Sequence, residues 1–261
     1  MPAEPDSPMK KPVLPILVAV SLAMPLMAEG ASVFRDTGYP TEDKQSLRME
    51  VTELPTFPGA LIAQGITEGV VRVLISVDEK GVLTDWLVLA YTNKALADEA
   101  VAAIEKWKFE PMLVRGQPVP CQSELVFNFQ AKGVVVSLNV TDVLAATLKL
   151  RGLYYEYEPC RFSELDRIPK PVLTEAPAYP VELERKGVRG SVTVEFYIDE
   201  QGVVRMPAVT KADHIELGAL AVDAVRNWRF EPPTRNGRPV LTRVRQRFDF
   251  KGKGTSLARG N

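Results

Sequence analysis

Apolar and polar residues alternate along two separate stretches of the chain, over residues 71–77 and 192–198. A period of two places one apolar row on the face of a β-sheet that packs against a core, so each stretch predicts a half-buried strand. The first stretch runs into Asp78-Glu-Lys-Gly81 and the second into Asp199-Glu-Gln-Gly202. Aspartate followed by glycine is typical of tight turns, because glycine adopts positive φ without steric cost. Each stretch therefore predicts a β-hairpin whose second strand follows the turn.

A helical period follows each predicted hairpin. In the later stretch, apolar residues three and four positions apart form one face: Leu217, Leu220, Ala221, Ala224, Val225 and Trp228. The earlier stretch has a narrower face of the same kind: Leu96, Ala100, Ala103, Ile104 and Trp107. This spacing is typical of an amphipathic helix, and Pro111 and Pro232 then prevent the helix from continuing. A third alternating run, over 119–129 and 240–250, completes each unit.

The order hairpin, helix, strand predicts an α+β fold. Each unit is expected to form a three-stranded antiparallel sheet with its helix packed across one face, and two such small domains follow in tandem. The repeat is strict, because Gly190 lies 121 residues after Gly69 and the same offset relates Trp228 to Trp107. No gap interrupts it from residue 69 to residue 130. The sequence therefore predicts an internal duplication.

The chain divides accordingly into six segments. They are a signal peptide or signal anchor (1–30), a short linker (31–50), the first domain (51–130), a connecting segment with a short helix at 143–150 (131–170), the second domain (171–251) and a disordered tail (252–261). The connecting segment is too apolar for a free linker and is expected to dock on one or both domains.

The N-terminal segment has the order of a secretory signal. Lys10 and Lys11 precede an apolar run over residues 12–28, which ends in small residues. The run is short and contains three prolines, so it favours a signal peptide cleaved near Ala28 or Gly30 over a membrane-spanning helix. An uncleaved anchor is the alternative. In either case the folded part of the chain is expected beyond the cytoplasmic membrane.

The second unit carries a motif by which a family can be recognised. Its residues are Tyr179-Pro180, Gly190, Val192, Val194, Phe196, Ile198-Asp199, Gly202, Ala224-Val225-Arg226, Trp228-Arg229-Phe230, Pro232 and Gly237-Arg238-Pro239-Val240. The pattern resembles the TonB C-terminal domain, and the first unit resembles it with Phe57 for the tyrosine and Lys108 for an arginine. The resemblance implies a binding protein of the bacterial envelope that is linked to transmembrane transport. In this family the third strand pairs with the N-terminal box of an outer-membrane transporter.

Composition and charge exclude several other functions. The formal net charge is −1, which favours neither nucleic acid nor an anionic membrane as a partner. The one histidine, His214, falls in a predicted loop, and no histidine and cysteine cluster has the spacing of metal ligands. We therefore expect no catalytic residue, no metal and no cofactor, and we interpret the chain as a non-enzymatic protein.

Four residues of the motif are interpreted as structural core. Trp107 and Trp228 lie on the apolar helix faces, and Tyr179-Pro180 marks the entry to a short helix that packs against the second sheet. Cys121 and Cys160 would meet an oxidising environment after export. The sequence leaves open both a disulfide between them and a buried free thiol at Cys121.

The last predicted strand of the second unit carries the candidate partner-binding residues. Arg243, Arg245 and Arg247 alternate with Thr242 and Val244, so the three arginines share one face, which is expected to be the solvent face. Two explanations are open. The charges protect a free sheet edge against unwanted pairing, or they attract acidic side chains of an extended peptide that adds a strand there. The corresponding strand of the first unit has no such basic row.

The leading hypothesis is a periplasmic protein that binds extended segments of an outer-membrane transporter, or of another envelope protein, by β-strand addition. One alternative is a membrane-anchored energy transducer coupled to a proton-driven inner-membrane motor complex. The linker over 31–50 lacks the proline-rich periplasmic spacer of the resembled family, which argues against that alternative. The other alternative is a structural envelope protein that forms a homodimer through its sheet edges.

Overall fold

The computed structural model describes residues 34–35, 44–138, 152–251 and 255–257 of the 261-residue chain. The predicted signal segment and the predicted helix at 143–150 lie outside the described residues. Within these four ranges, no helix combines the length and the apolar composition that crossing a membrane requires.

The first unit and the strands around it account for twelve elements. In chain order they are β1 (Phe34–Arg35), β2 (Lys44–Gln45), β3 (Arg48–Glu50), α1 (Gly59–Ala63), β4 (Glu68–Val77), β5 (Leu83–Tyr91), α2 (Lys94–Ile104), β6 (Lys108–Glu110), β7 (Met112–Val114), β8 (Gln117–Val119), β9 (Cys121–Gln130) and β10 (Gly133–Leu138). The predicted linker over 31–50 therefore contributes strands to the folded body.

The second unit repeats this arrangement after a 3-10 turn at Phe162–Glu164. Its elements are β11 (Pro171–Leu173), α3 (Val181–Arg185), β12 (Gly190–Ile198), β13 (Val204–Ala212), α4 (Ile215–Arg226), β14 (Arg229–Phe230), β15 (Thr234–Arg235), β16 (Arg238–Pro239), β17 (Thr242–Phe250) and β18 (Thr255–Leu257). Part of the segment predicted to be a disordered tail thus forms a strand, because β18 pairs with β17.

The α+β class predicted from the sequence is confirmed. In the first unit β4 pairs antiparallel with β5 and with β9, and α2 packs on β4 and β5. In the second unit β12 pairs antiparallel with β13 and β17, and α4 packs on β12 and β13. Each unit is therefore a hairpin, a helix and a third strand.

Both hairpin turns are held by their aspartate. Asp78 Oδ1 accepts hydrogen bonds from the backbone N–H groups of Lys80 and Val82, at 2.9 and 2.8 Å. Asp199 Oδ1 accepts the equivalent pair of bonds, at 3.0 and 2.8 Å. Gly81 and Gly202 complete the turns with φ of +83° and +80°. These aspartates are therefore turn residues with occupied carboxylates.

Each unit buries a tryptophan between its helix and its sheet. Trp107 and Trp228 are both buried, and each indole N–H donates to a backbone carbonyl in the segment that precedes the unit, Glu53 at 2.7 Å and Glu175 at 2.9 Å. These bonds satisfy the polar group of an otherwise apolar ring.

The predicted Tyr179-Pro180 pair lies at the edge of the second core. The Tyr179 ring packs edge-on against Phe250, with centroids 5.7 Å apart, and its hydroxyl donates to the Val188 carbonyl. Pro180 is the residue from which α3 begins. The pair therefore closes the end of the core beside β17.

The two units share one nine-stranded sheet. Its order is β18–β17–β12–β13–β1–β9–β4–β5, with β10 also paired to β9. The short strand β1 lies between the units and runs parallel to both β13 and β9. The sequence did not decide whether the two sheets join, and the structure joins them through a segment outside both repeats.

The sheet faces opposite the helices contact each other. Leu74, Leu87 and Leu89 of the first unit form one apolar cluster with Tyr197, Met206 and Leu241 of the second. The two halves of the shared sheet therefore contact each other through the faces opposite their helices. Arg205 spans the contact and places its guanidinium 3.0 Å from Asp85 Oδ1. Met206 adopts φ of +52° where the pairing of β12 and β13 shifts register, which marks a bulge at this contact.

The connecting segment docks on both units. Tyr157 forms an antiparallel bridge with Tyr91 of the first unit, and its hydroxyl lies 2.7 Å from Glu200 Oε1 of the second. Burial and this hydrogen bond raise the pKa of Tyr157. Three residues later, Cys160 pairs with Thr242 at the start of β17.

We predict that Gly202→Ala destabilises the fold far more than Gly237→Ala. Both glycines have positive φ, at +80° and +71°, so alanine costs a similar backbone strain of about 1 kcal/mol at each. At Gly202 an added Cβ would also collide with the Phe230 carbonyl oxygen, whereas Gly237 has open space around it. Urea unfolding measures the loss in free energy of unfolding for each variant. Equal losses would contradict this close approach of the hairpin turn to β14.

Candidate docking edge

The first unit covers the outer edge of its third strand with its own chain. At the start of β9, Phe34 and Arg35 of β1 pair in parallel with Cys121 and Gln122. Along the rest of the strand, β10 pairs antiparallel with residues 125–130. Together these two closures cover β9 at residues 121–122 and 125–130.

The second unit has the same two closures in shortened form. Cys160 makes a single parallel bridge to Thr242, the residue equivalent to Cys121, and its N–H donates to the Leu241 carbonyl at 2.7 Å. β18 pairs antiparallel with residues 248–250 only. No strand in the described part of the chain pairs with the outer side of residues 243–247, and we call this stretch the docking edge.

The alternation of backbone groups along β17 shows which residues direct their N–H and C=O groups away from β12. Successive residues of a strand direct their N–H and C=O groups to opposite neighbours. Leu241 directs its carbonyl outward, to Cys160. Arg243, Arg245 and Arg247 therefore also direct their backbone groups outward, and the residues between them bond to β12. The same three arginines supply both the outward backbone groups and the basic side chains, and the Arg247 carbonyl accepts a hydrogen bond from Gln246 Nε2 at 2.8 Å.

The three arginine side chains lie on the sheet face opposite α4 and are exposed. Arg245 Nε is 2.8 Å from Glu195 Oε2, and Arg247 Nε is 3.0 Å from Asp249 Oδ1. Within the described residues, Arg243 forms no ion pair with a carboxylate. Arg243 is therefore the charge at this edge most available to a partner.

Glu195 links the docking edge to the junction of the two units. Its side chain is 7% exposed, and it contacts Arg245 of β17 and, at 3.6 Å, Arg35 of β1. A carboxylate at this depth needs cationic partners, since loss of solvation otherwise disfavours its charge. The ion pairs hold β1, β12 and β17 in one electrostatic cluster.

Two of the predicted partner-binding residues are turned away from solvent. Thr242 is fully buried, and its hydroxyl donates to the Cys160 carbonyl at 3.0 Å. Val244 is half-buried against the core beneath α4. The connecting segment thus makes Thr242 inaccessible to a partner, and the exposed part of the site is the row of three arginines.

A cleft of about 340 Å³ opens beside Arg243, between the two units. Its polar lining consists of Arg72, Arg161, Arg243, Glu158 and Tyr197. Burial opposes the charge of Arg72, but the hydrogen bond and the charge of Glu124 outweigh it and raise the pKa of the guanidinium. Burial raises the pKa of Tyr197, so this ring is neutral near pH 7. The sequence did not indicate Arg72 or Arg161, because they come from the other unit and the connecting segment.

The opposite margin of the nine-stranded sheet, β5, is protected by contacts within the chain. Tyr91 exchanges backbone hydrogen bonds with Tyr157, and the two rings stack 5.2 Å apart. Farther along, the N–H of Trp86 donates to the Asp85 side chain, and its carbonyl accepts from Arg205 at 3.1 Å. A second copy of the chain would have to break these bonds to pair here.

Cys121 and Cys160 are both buried, and both are in the thiol form. The disulfide that the sequence left open is not formed in this structure, since Cys121 begins β9 of the first unit whereas Cys160 lies beside the start of β17 in the second. Burial raises the pKa of the Cys160 thiol, which favours its protonated form.

Among the side chains that the structure describes, no group of three or more His, Cys, Asp or Glu residues could hold a metal ion. His214 occupies the position before α4 without capping it through its side chain. The docking edge provides backbone hydrogen-bonding groups and positive charge.

A small α+β unit with one open, basic strand edge is a module suited to accepting a further strand. The family model for the Gram-negative bacterial TonB protein C-terminal domain matches residues 53–131 and 175–251, which is more than half of the chain. The chain belongs to this family and carries its domain twice. The resemblance drawn from the motif is confirmed.

Two curated relatives are both described as Protein TonB. The one from Vibrio cholerae serotype O1 is 30% identical over 91 residues, which cover 33% of this chain and 37% of the relative. The one from Xanthomonas campestris pv. campestris is 36% identical over 75 residues, which cover 28% of this chain and 34% of the relative. The chain therefore spans about a third of the length of the curated relatives it matches.

A solved structure is also similar in sequence. The solution NMR structure of the Pseudomonas aeruginosa TonB CTD is 27% identical and covers 35% of this chain and 92% of that chain, with a TM-score of 0.31.

Hydrogen exchange by NMR should reveal the open edge directly. We expect the amide of Arg247 to exchange at least ~tenfold faster than that of Val126, its equivalent in the first unit, because β10 covers Val126 and nothing described covers Arg247. Within β17, the amides of Arg243 and Arg245 should exchange faster than that of Val244, which bonds to β12. Uniform protection from 243 to 247 would contradict the open edge.

Proposed function

We propose that this protein binds an extended segment of an envelope partner by adding it as a strand to the docking edge of the second unit. One observation carries the proposal. Within the described residues, no strand pairs with the outer side of residues 243–247, whereas the first unit covers Gln122 and Val126, the equivalents of Arg243 and Arg247, with its own chain. Because only one of the two copies has this edge, we interpret the edge as a recognition surface and not as an incompletely paired strand.

The arginine row specifies the chemistry of the guest. A guest strand beside β17 presents alternate side chains to the two sheet faces. On one face it meets Arg243, Arg245 and Arg247, and on the other it meets Val244 and the core margin. The fitting segment therefore alternates acidic and apolar residues. The docking edge spans five residues, or roughly 17 Å at ~3.4 Å per residue.

Family membership indicates where such a segment comes from. The relatives are described as Protein TonB, and we propose an outer-membrane transporter as the partner, with a role in transmembrane transport and a periplasmic location for the folded units. The first unit, closed along its third strand, then serves as a platform that supplies Arg72 to the cleft beside the docking edge.

Titration calorimetry on the full chain can test the proposal with a designed probe. The probe is a ten-residue peptide of alternating Asp and Val with blocked ends, and the matched peptide has Lys for each Asp. We expect the Asp peptide to bind and the Lys peptide not to bind. Arg243→Glu should weaken binding about tenfold, since it replaces an attraction by a repulsion in a partly exposed site.

Lys80→Glu is the matched control, because it makes the same change of charge at an exposed turn of the first unit. It should leave affinity unchanged. Methylation of the peptide nitrogens should abolish binding when it falls on the residues that face β17, and should be tolerated on the alternate residues. Equal binding of the two peptides, or equal effects of the two variants, would contradict strand addition at this edge.

A further inference from the structure

The cleft beside Arg243 is built by three parts of the chain that lie far apart in the sequence. The first unit contributes Arg72 and Leu89, the connecting segment contributes residues 158–162, and the second unit contributes Tyr197 and Arg243. Tyr197 of β12 and Arg243 of β17 are direct partners in the sheet. The cleft is therefore a product of the tandem arrangement of the two units.

The charged side chains that line the cleft leave one positive charge in surplus. Arg72 is neutralised by Glu124, whose Oε1 lies 2.6 Å from the arginine Nε. Of the other charged residues in the lining, Arg161 and Arg243 are positive and Glu158 is negative. Within the described residues, none of these three forms an ion pair. An anion in the cleft therefore meets two guanidinium groups against one carboxylate.

The wall of the cleft also contains a polar group that has no partner among the described residues. Tyr197 is only 4% exposed, and its hydroxyl forms no hydrogen bond within that part of the chain. Buried polar groups are almost always hydrogen-bonded, because an unpartnered group has lost its water without compensation. Burial raises the pKa of Tyr197, so the hydroxyl keeps its proton at neutral pH. An acceptor that enters the cleft restores a hydrogen bond to it.

The cleft lies at the end of the docking edge where a guest strand must stop. Cys160 bridges Thr242, the residue before Arg243, so the connecting segment occupies the next position on the outer side of β17. The guest residue beside Arg243 is thus the last that can pair at this end. Paired residues of neighbouring strands direct their side chains to the same sheet face. This guest side chain therefore points to the face of Arg243 and Tyr197, where the cleft lies.

We propose that the cleft receives the carboxylate of one acidic guest residue, the one that pairs beside Arg243, and thereby fixes the register of the guest strand. The inference rests on the proposed function. Arg161 and Arg243 supply charge-assisted hydrogen bonds, and the hydroxyl of Tyr197 donates a further one. Other acidic guest residues meet exposed arginines that are already paired with Glu195 and Asp249. One acidic position therefore contributes most of the specificity.

Titration calorimetry on the full chain tests this inference with peptides that carry a single charge. The probe is a ten-residue peptide of alternating Thr and Val with blocked ends, in which one central Thr is replaced by Asp. The reference peptide has Asn at that position. We expect the single-Asp peptide to bind at least ~tenfold more tightly, since a charge-assisted hydrogen bond is stronger than a neutral one. This preference should fall to about threefold or less in Arg161→Gln and in Tyr197→Phe.

Arg189→Gln is the matched control for Arg161→Gln. It removes the same charge from an exposed residue beside Gly190, which pairs with Phe250 at the far end of β17. It should leave the preference for Asp unchanged. Tyr197→Phe keeps the ring that packs between the two units and removes only the hydroxyl. Urea unfolding at the parent midpoint then verifies that a loss of preference is not a loss of fold.

The register of the bound peptide provides a readout that a general attraction to the arginine row would not move. A nitroxide label on the peptide N-terminus broadens the amide resonances of β17 that lie nearest to it. When the Asp is moved by two positions along the peptide, the broadened amides should shift by two residues, because the carboxylate stays in the cleft. An unchanged broadening pattern would contradict a register fixed by the cleft.

The outcomes separate this inference from the proposed function. A preference for Asp that depends on Arg161 and Tyr197, with a register that follows the Asp, supports the cleft. Equal binding of the single-Asp and Asn peptides, or equal effects of Arg161→Gln and Arg189→Gln, refutes the cleft and leaves strand addition in place. If neither these peptides nor the alternating Asp and Val peptide binds, the proposed function fails and the cleft inference fails with it.

Discussion

Hydrogen bonding at the edges of strands is the constraint on which this structure depends. A strand with an unpaired side exposes backbone donors and acceptors that will pair with whatever chain approaches. In each unit one side of the third strand is hydrogen-bonded to the hairpin, and the backbone groups on its outer side need other partners. Three short segments outside the two modules, β1, Cys160 and β18, each contact one of these outer sides. The segments that flank and connect the two units therefore pair with the sheet.

The strand that closes the outer edge of the first unit also joins the two units. β1 pairs with β9 and with β13 at once, so one short strand closes an edge and joins two sheets. The contact is reinforced on the inner faces by the Leu74 and Tyr197 cluster and by the Arg205–Asp85 pair. Glu195 then couples this junction to the docking edge, because its carboxylate is shared by Arg35 and Arg245. Occupation of the edge by a guest would act on the same buried carboxylate.

The two modules differ in how the outer side of the third strand is covered. Their turns, tryptophan bonds and third strands are equivalent in detail, down to the aspartate that caps each hairpin. What differs is how far the flanking segments run along the third strand. In the described part of the chain, β10 pairs over six residues and β18 over three, and two residues of β1 correspond to the one bridge of Cys160.

The sequence by itself determined the module. Alternation in β4 and β12, the helical face that ends at Trp228, and the Asp-to-Gly turns are local properties of side-chain period and backbone φ, so the order of residues is enough to predict them. The basic row on one face of β17 followed from the same period. Only the tertiary structure decided which outer edge is open, that β1 joins the units, and that Thr242 is covered by Cys160. The physical reason is that pairing at an edge uses N–H and C=O groups, which nearly every residue carries alike. No side-chain pattern can therefore say which distant segment will occupy them.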